Sequence, residues 1–194
     1  VAGVSSPPKA LEQLPAQFLF YGLLFLALAA MLRMQYDRPF WRSLGFDWPS
    51  FPLWPIPLIG AATAMGLAAL GGVLKIPATK NPMVELLADA STWRFVAAFG
   101  TTIAPVCEEA AFRGFLQPRL ARSFGALAGV LLPAALFGLV HLPQYGYSWQ
   151  QALIVSLAGA GFGWMRQASG STAAAALMHA AYNGTLFLGA SLAG

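Results

Sequence analysis

The stretch Ala104–Leu116 places two adjacent carboxylates, Glu108 and Glu109, and one guanidinium, Arg113, inside an otherwise apolar segment. Ionisable groups in such surroundings are costly and mark functional sites by default. Two further polar intrusions follow in later apolar segments: His141, closing the run from Phe137, and the pair His179 and Asn183. A carboxylate, two imidazoles and a carboxamide suit water-mediated hydrolysis. A Glu can take a proton from water and a His can orient or share that proton. His and Asn can donate hydrogen bonds to the oxyanion of a tetrahedral intermediate. No Ser, Cys or Asp completes a nucleophile triad, and the lone Cys107 reads as a small residue packed in a helix.

Helix geometry divides the two carboxylates. Successive residues turn by about 100°, so Glu108 and Glu109 face different directions. Arg113 lies four residues from Glu109 and on nearly the same face, so these two form the expected buried pair. Glu108 is left free to act on water or substrate. Pro105 has no N–H to donate to the Thr101 carbonyl and should bend the helix, with the freed carbonyl and the Thr101 and Thr102 hydroxyls helping to admit water. His141 shares a face with Phe137, and His179 with Asn183. Taken singly, each feature has a plainer reading: a structural Glu109–Arg113 pair, a histidine closing a helix end, Tyr182 and Phe137 as packing. Three polar intrusions in separate apolar segments call for a common cause.

The elements that must position these groups follow from composition. The chain has 194 residues, 58% hydrophobic and 9% charged, against roughly 25% charged in soluble domains. The fold class is therefore all-α, a polytopic membrane bundle of about six transmembrane helices. A span needs about 20 mostly apolar residues. The segments fall at Gln17–Met34, Trp54–Leu74, Thr92–Leu120, Phe124–Leu142, Trp149–Met165 and Thr172–Leu192. Residues 1–16 form an extramembrane segment, 17–91 two helices with interfacial loops, and 92–194 a four-helix catalytic core. The connection Gln35–Phe51 carries Tyr36, Trp41 and Trp48, suited to a headgroup belt, and Arg33, Arg38 and Arg42, suited to anionic lipid. A short amphipathic helix is expected at Pro82–Ala90. Gly159, Gly161 and Gly163 read as close helix packing.

The net charge of +4 is spread over short loops and indicates no nucleic-acid partner. Basic residues favour the side of loops one, three and five, which are expected to be cytoplasmic, with both termini outside. Depth poses a difficulty: Phe124 to His141 would span roughly 25 Å. Either the third helix extends to about Arg122 or the fourth begins later, near Ala128.

Glu108–Arg113, Phe137–His141 and His179–Asn183 resemble the three signature motifs of the CPBP family, the CAAX-protease and bacteriocin-processing membrane peptidases. The resemblance covers about Thr92–Leu188. It implies a glutamate-type intramembrane endopeptidase of the bacterial inner membrane, acting on a peptide or membrane-protein segment without a cofactor. By carry-over Glu108 activates water with His141, His179 and Asn183 form the oxyanion hole, and Glu109, Arg113 and Phe137 support the site. The resemblance does not imply prenyl-protein cleavage, because eukaryotic members of that kind have more helices. Three alternatives remain open: a zinc site of Glu108, His141 and His179; a silent accessory subunit of a larger membrane complex; and a tetrapyrrole-binding protein using His141 and His179.

Overall fold

The computed structural model describes residues 9–36, 39–76 and 90–193. Residues 1–8 and the amphipathic helix expected at Pro82–Ala90, apart from Ala90, lie outside the described residues. All described regular structure is helical. Helix α1 spans Lys9–Tyr36, the short α2 Phe40–Ser43, and α3 Pro55–Val73. The third expected segment becomes α4 (Ala90–Thr101), α5 (Ile103–Glu109), a π-helical stretch (Ala110–Leu116) and α6 (Gln117–Phe124). Then follow α7 (Ala126–Val140), a 3-10 turn (Leu142–Tyr145), α8 (Trp149–Ser169) and α9 (Thr172–Ala193).

Six long helical stretches thus stand where hydropathy placed them. Two of them, Pro55–Val73 and Trp93–Phe124, are long and apolar enough by themselves to cross a membrane, and Phe18–Met34 and Ala126–Val140 are shorter apolar stretches. The bundle wears its large apolar side chains outside: Leu58, Ile59, Met65, Leu131, Leu136, Leu139 and Leu157 are all exposed. Such a surface has its natural solvent in lipid, where helices keep every backbone group satisfied. The inner helix α9 is built differently. Thr172, Ala174 and Ala175 are fully buried there and Met178 nearly so. A helix shielded by its neighbours needs small residues more than hydropathy.

Close approach explains the small residues. A Cβ on Gly60 of α3 would stand 2.4 Å from the Met178 carbonyl oxygen of α9. Gly125, with φ at +86°, makes the turn between α6 and α7, a backbone conformation that costs glycine little. The third segment therefore runs on to Phe124, the longer of the two arrangements that the spacing allowed. Helix α1 starts eight residues earlier than the apolar run, because Lys9–Leu14 are good helix formers and hydropathy marks only the lipid-crossing part.

The bend in the third segment lies where Pro105 requires it. Thr102 adopts φ −126° and ψ −77°, separating α4 from α5. The Thr101 and Thr102 hydroxyls spend their protons on their own helix. They donate to the carbonyls of Ala97 (2.7 Å) and Ala98 (2.6 Å), the back-bonding that bends helices. The connector after α2 is pinned across the bundle: Thr172 donates through its backbone N–H to Gly45 (2.8 Å) and through its hydroxyl to Leu44 (2.6 Å). Leu44 is fully buried, and a Cβ on Gly114 would meet its carbonyl oxygen at 2.8 Å. The connector thus seats directly on the π-helical stretch. Trp41, Trp48 and Trp54 remain exposed, as side chains at headgroup level do.

Candidate active site

The π-helical stretch widens the turn immediately after the paired glutamates, a distortion frequent at functional sites. With it, Glu109, Arg113 and Gln117 all bury their side chains on the inner face of one segment. Arg113 Nη1 donates to Glu109 Oε1 at 2.9 Å, both side chains fully buried. Arg113 Nη2 donates to the Gly159 carbonyl at 2.6 Å, and Gln117 Nε2 to the Gly163 carbonyl at 2.9 Å. The glycines of α8 therefore do more than pack. A Cβ on Gly159 would stand 3.0 Å from Arg113 Nη2, so its absence opens a backbone carbonyl to the guanidinium. Phe112, Phe137 and Phe162 surround that cation, with Phe137 at 4.8 Å, and their faces help hold a charge removed from water.

Glu109 Oε1 has a second partner, His179 Nδ1 at 2.9 Å. A carboxylate accepts, so Nδ1 carries the proton and Nε2 is left facing elsewhere. What it faces is Glu108: Nε2 lies 3.9 Å from Glu108 Oε2. The His179 ring is stacked on Phe162 at 4.4 Å and meets Phe137 edge-on at 5.7 Å. Orientation of this imidazole is thus set on both faces and at one nitrogen. Glu108 differs from its neighbour by keeping 15% of its side chain exposed, against none for Glu109. Glu109 pairs with Arg113 at the four-residue spacing, and Glu108 meets other partners, Tyr21 and His179.

His141 lies at the end of α7. Its Nδ1 is 2.7 Å from the Phe137 carbonyl oxygen, and its ring lies 4.5 Å from that of Phe137. Among the described residues it makes no direct hydrogen bond or ion pair with Glu108. Phe137 is the shared element, touching both imidazoles. A macrocycle ligated by His141 and His179 together would have to displace it. Nor are Glu108, His141 and His179 gathered as ligands: among the described residues no group of three His, Cys, Asp or Glu side chains is close enough to hold a metal ion. Asn183 donates from Nδ2 to the Gly100 carbonyl at 2.8 Å, tying α9 to α4; its second amide N–H is not used in that bond.

Two residues not singled out by sequence reading enter the site. Tyr21 of α1 donates its hydroxyl to Glu108 Oε1 at 2.5 Å. It is buried in a cluster with Phe99, Ala104 and Cys107. Tyr145, in the 3-10 turn outside the spans, has its phenol pushed up chiefly by burial and further by the charge of Glu108. Tyr21 was the one polar-tipped side chain in the run Phe18–Leu28, a weak signal. Gln117 was better marked, lying four residues beyond Arg113 as Arg113 lies beyond Glu109.

Residues 90–185 match a family model described as Rce1-like, type II CAAX prenyl endopeptidase Rce1-like. Over this segment the chain is similar to that family. The comparisons with curated proteins and with solved structures give no match. The matched segment holds all three motifs, from Glu108 to Asn183, and leaves α1 to α3 outside. Family and apolar helical bundle together identify an integral membrane protein of a protease class that acts on peptide substrates.

Proposed function

We propose that the chain is a glutamate-type intramembrane endopeptidase in which Glu108 activates the attacking water. The observation that carries this reading is the unequal treatment of two neighbouring carboxylates. Glu109 is fully buried and bonded to Arg113 and His179, while Glu108 keeps part of its surface and is faced by His179 Nε2 at 3.9 Å. In the proposed reaction a water bound at Glu108 gives it a proton and attacks the scissile carbonyl carbon. Negative charge builds on the carbonyl oxygen, where N–H donors must meet it. The donors we assign are the remaining N–H of Asn183 and His179 in its imidazolium form, which keeps Nδ1–H on Glu109 and donates from Nε2. As the C–N bond breaks, the proton on Glu108 passes to the leaving amine, and the carboxylate is restored. His141 orients the water or the substrate carbonyl from the opposite side of Phe137. Tyr21 orients Glu108 through Oε1, leaving Oε2 for the reacting water.

The substrate we assign is a peptide or membrane-protein segment entering among α4–α9. The family description adds prenylated CAAX sequences as a candidate, tested by comparing lipidated and unlipidated peptides. The deciding experiment is peptide cleavage by the purified protein in lipid with wild type, Glu108→Gln, His179→Ala and a chelator. Glu108→Gln should lower kcat by about 10²- to 10⁴-fold, as loss of a general base does, and chelator should leave turnover unchanged. Undiminished cleavage by Glu108→Gln would refute the assignment. Loss with chelator, restored by zinc, would replace it with a metal mechanism. A folded protein without cleavage of any peptide would favour the silent-subunit reading, which the Tyr21 hydroxyl on Glu108 also accommodates.

A further inference from the structure

A second polar place lies toward the far end of α6, away from the paired glutamates. A cleft of about 210 Å³ opens between α6 and the end of α8, lined by Gln117, Pro118, Ala121, Arg122, Arg166 and Gln167. Two of these side chains are guanidiniums and none is acidic. Among the described residues neither Arg122 nor Arg166 has a carboxylate partner. Arg166 Nε is buried without a hydrogen-bond partner, and so is Gln117 Oε1. The Gln117 amide cannot turn to relieve this, because its Nε2 is held by the Gly163 carbonyl and the residue is only 2% exposed. Arg166 lies against the connector after α2, where a Cβ on Gly45 would stand 2.7 Å from its Nη2.

Leaving a partly buried cation unpaired is unfavourable, and an anion in the cleft relieves it. The level of the cleft says where that anion comes from. Trp164, half exposed, precedes Arg166 by two residues on α8, and exposed Trp41 and Trp48 lie in the connector of the same end. Such indoles mark the headgroup region. Arg33 in the last turn of α1, Arg42 in α2 and Arg119 in α6 belong to the elements of this end, whereas Lys75 and Arg94 belong to those of the other. Basic pockets between helices at this depth take lipid head groups.

We propose that this cleft binds the phosphodiester head group of an anionic lipid that carries a free hydroxyl, as phosphatidylglycerol does. Arg122 and Arg166 hold the phosphate, and Gln117 Oε1 accepts from the hydroxyl. The site is independent of the peptidase reading, since none of its residues touches Glu108 or His179. Because Gln117 hangs from the same helical segment as Glu109 and Arg113, an occupied cleft also braces the end of that segment.

The test uses the full chain in nanodiscs of phosphatidylcholine alone, of phosphatidylcholine with phosphatidylglycerol, and of phosphatidylcholine with added inorganic phosphate. Retained lipid is read by native mass spectrometry and the unfolding midpoint by heating. Wild type should retain phosphatidylglycerol preferentially and unfold at higher temperature in its presence. Arg122→Gln and Arg166→Gln should each lower the retained fraction by about tenfold, the size of one charge-assisted contact. Arg122 is exposed, so its variant folds even where Arg166→Gln does not. Basal peptide cleavage in phosphatidylcholine should be unchanged in Arg122→Gln. Equal retention of the two lipids, or phosphatidylglycerol retention untouched by Arg122→Gln, would overturn the proposal. Stabilisation by inorganic phosphate as large as by the lipid, and abolished in Arg122→Gln, would overturn the lipid source.

Discussion

The two sides of the glutamate pair are built on opposite principles. On the Glu109 side the groups are sealed: Glu109 and Arg113 are fully buried, His179 nearly so, and aromatic rings and the Gly159 carbonyl close around them. On the Glu108 side the carboxylate keeps access, and its direct partners are the tip of Tyr21 and one nitrogen of His179. The sealed side resembles a structural core that happens to be charged. The open side resembles a place kept clear for something to arrive. One residue step along a helix separates them, so the difference is made by what surrounds each face and not by the residue type. A carboxylate that is to move a proton must be held without being saturated, and its neighbour can carry the cost of holding.

This contrast can be broken or sharpened by substitution. The largest effect is expected on the sealed side, where Arg113→Met leaves Glu109 buried without its cation. Such a loss costs about 3–5 kcal/mol of stability, read as a lower unfolding midpoint or failure to accumulate in the membrane. A variant of normal stability would show that the sealed side is not structural. Tyr21→Phe acts on the open side. It leaves Glu108 without the hydroxyl that orients it and should lower kcat about ten- to a hundredfold with KM and unfolding midpoint little changed. An equal fall in stability would make Tyr21 a mere packing residue.

Gly159→Ala tests the link between helices. The new methyl meets Arg113 Nη2 at 3.0 Å, and overpacking of this kind costs about 1–3 kcal/mol, again as stability before turnover. The smallest effect is expected from Asn183→Ala. Loss of its bond to Gly100 costs about 1 kcal/mol. If its second N–H serves the oxyanion, kcat falls by more than that bond alone explains, while unchanged kcat would confine Asn183 to tying α9 to α4.

Much of the fold was legible because hydropathy and helix period are local properties. Six apolar runs gave six long helices, and the bend at Thr102 follows from one missing N–H at Pro105. Contacts between distant segments were not legible in the same way. The Thr101 and Thr102 hydroxyls turned back onto their own helix, since the nearest free acceptors were the carbonyls of Ala97 and Ala98. Gly159 and Gly163, read as packing, also present carbonyls to Arg113 and Gln117. Periodicity gives the angle at which a side chain leaves its helix and says nothing of the partner it meets there.

The amino-acid sequence by itself determined that this chain is a helical membrane protein, that its polar groups fall in three separate helices, and that Glu108 and Glu109 must diverge while Glu109 and Arg113 converge. Each of these follows from composition or from the 100° step of a helix. Only the tertiary structure decided that His179 stands between the two carboxylates, that Tyr21 reaches Glu108 across 87 positions of sequence, and that Phe137 touches both imidazoles. Those relations depend on how helices cross and how closely glycine and alanine let them approach, and interhelical distance is a property of the packed bundle that no single segment carries.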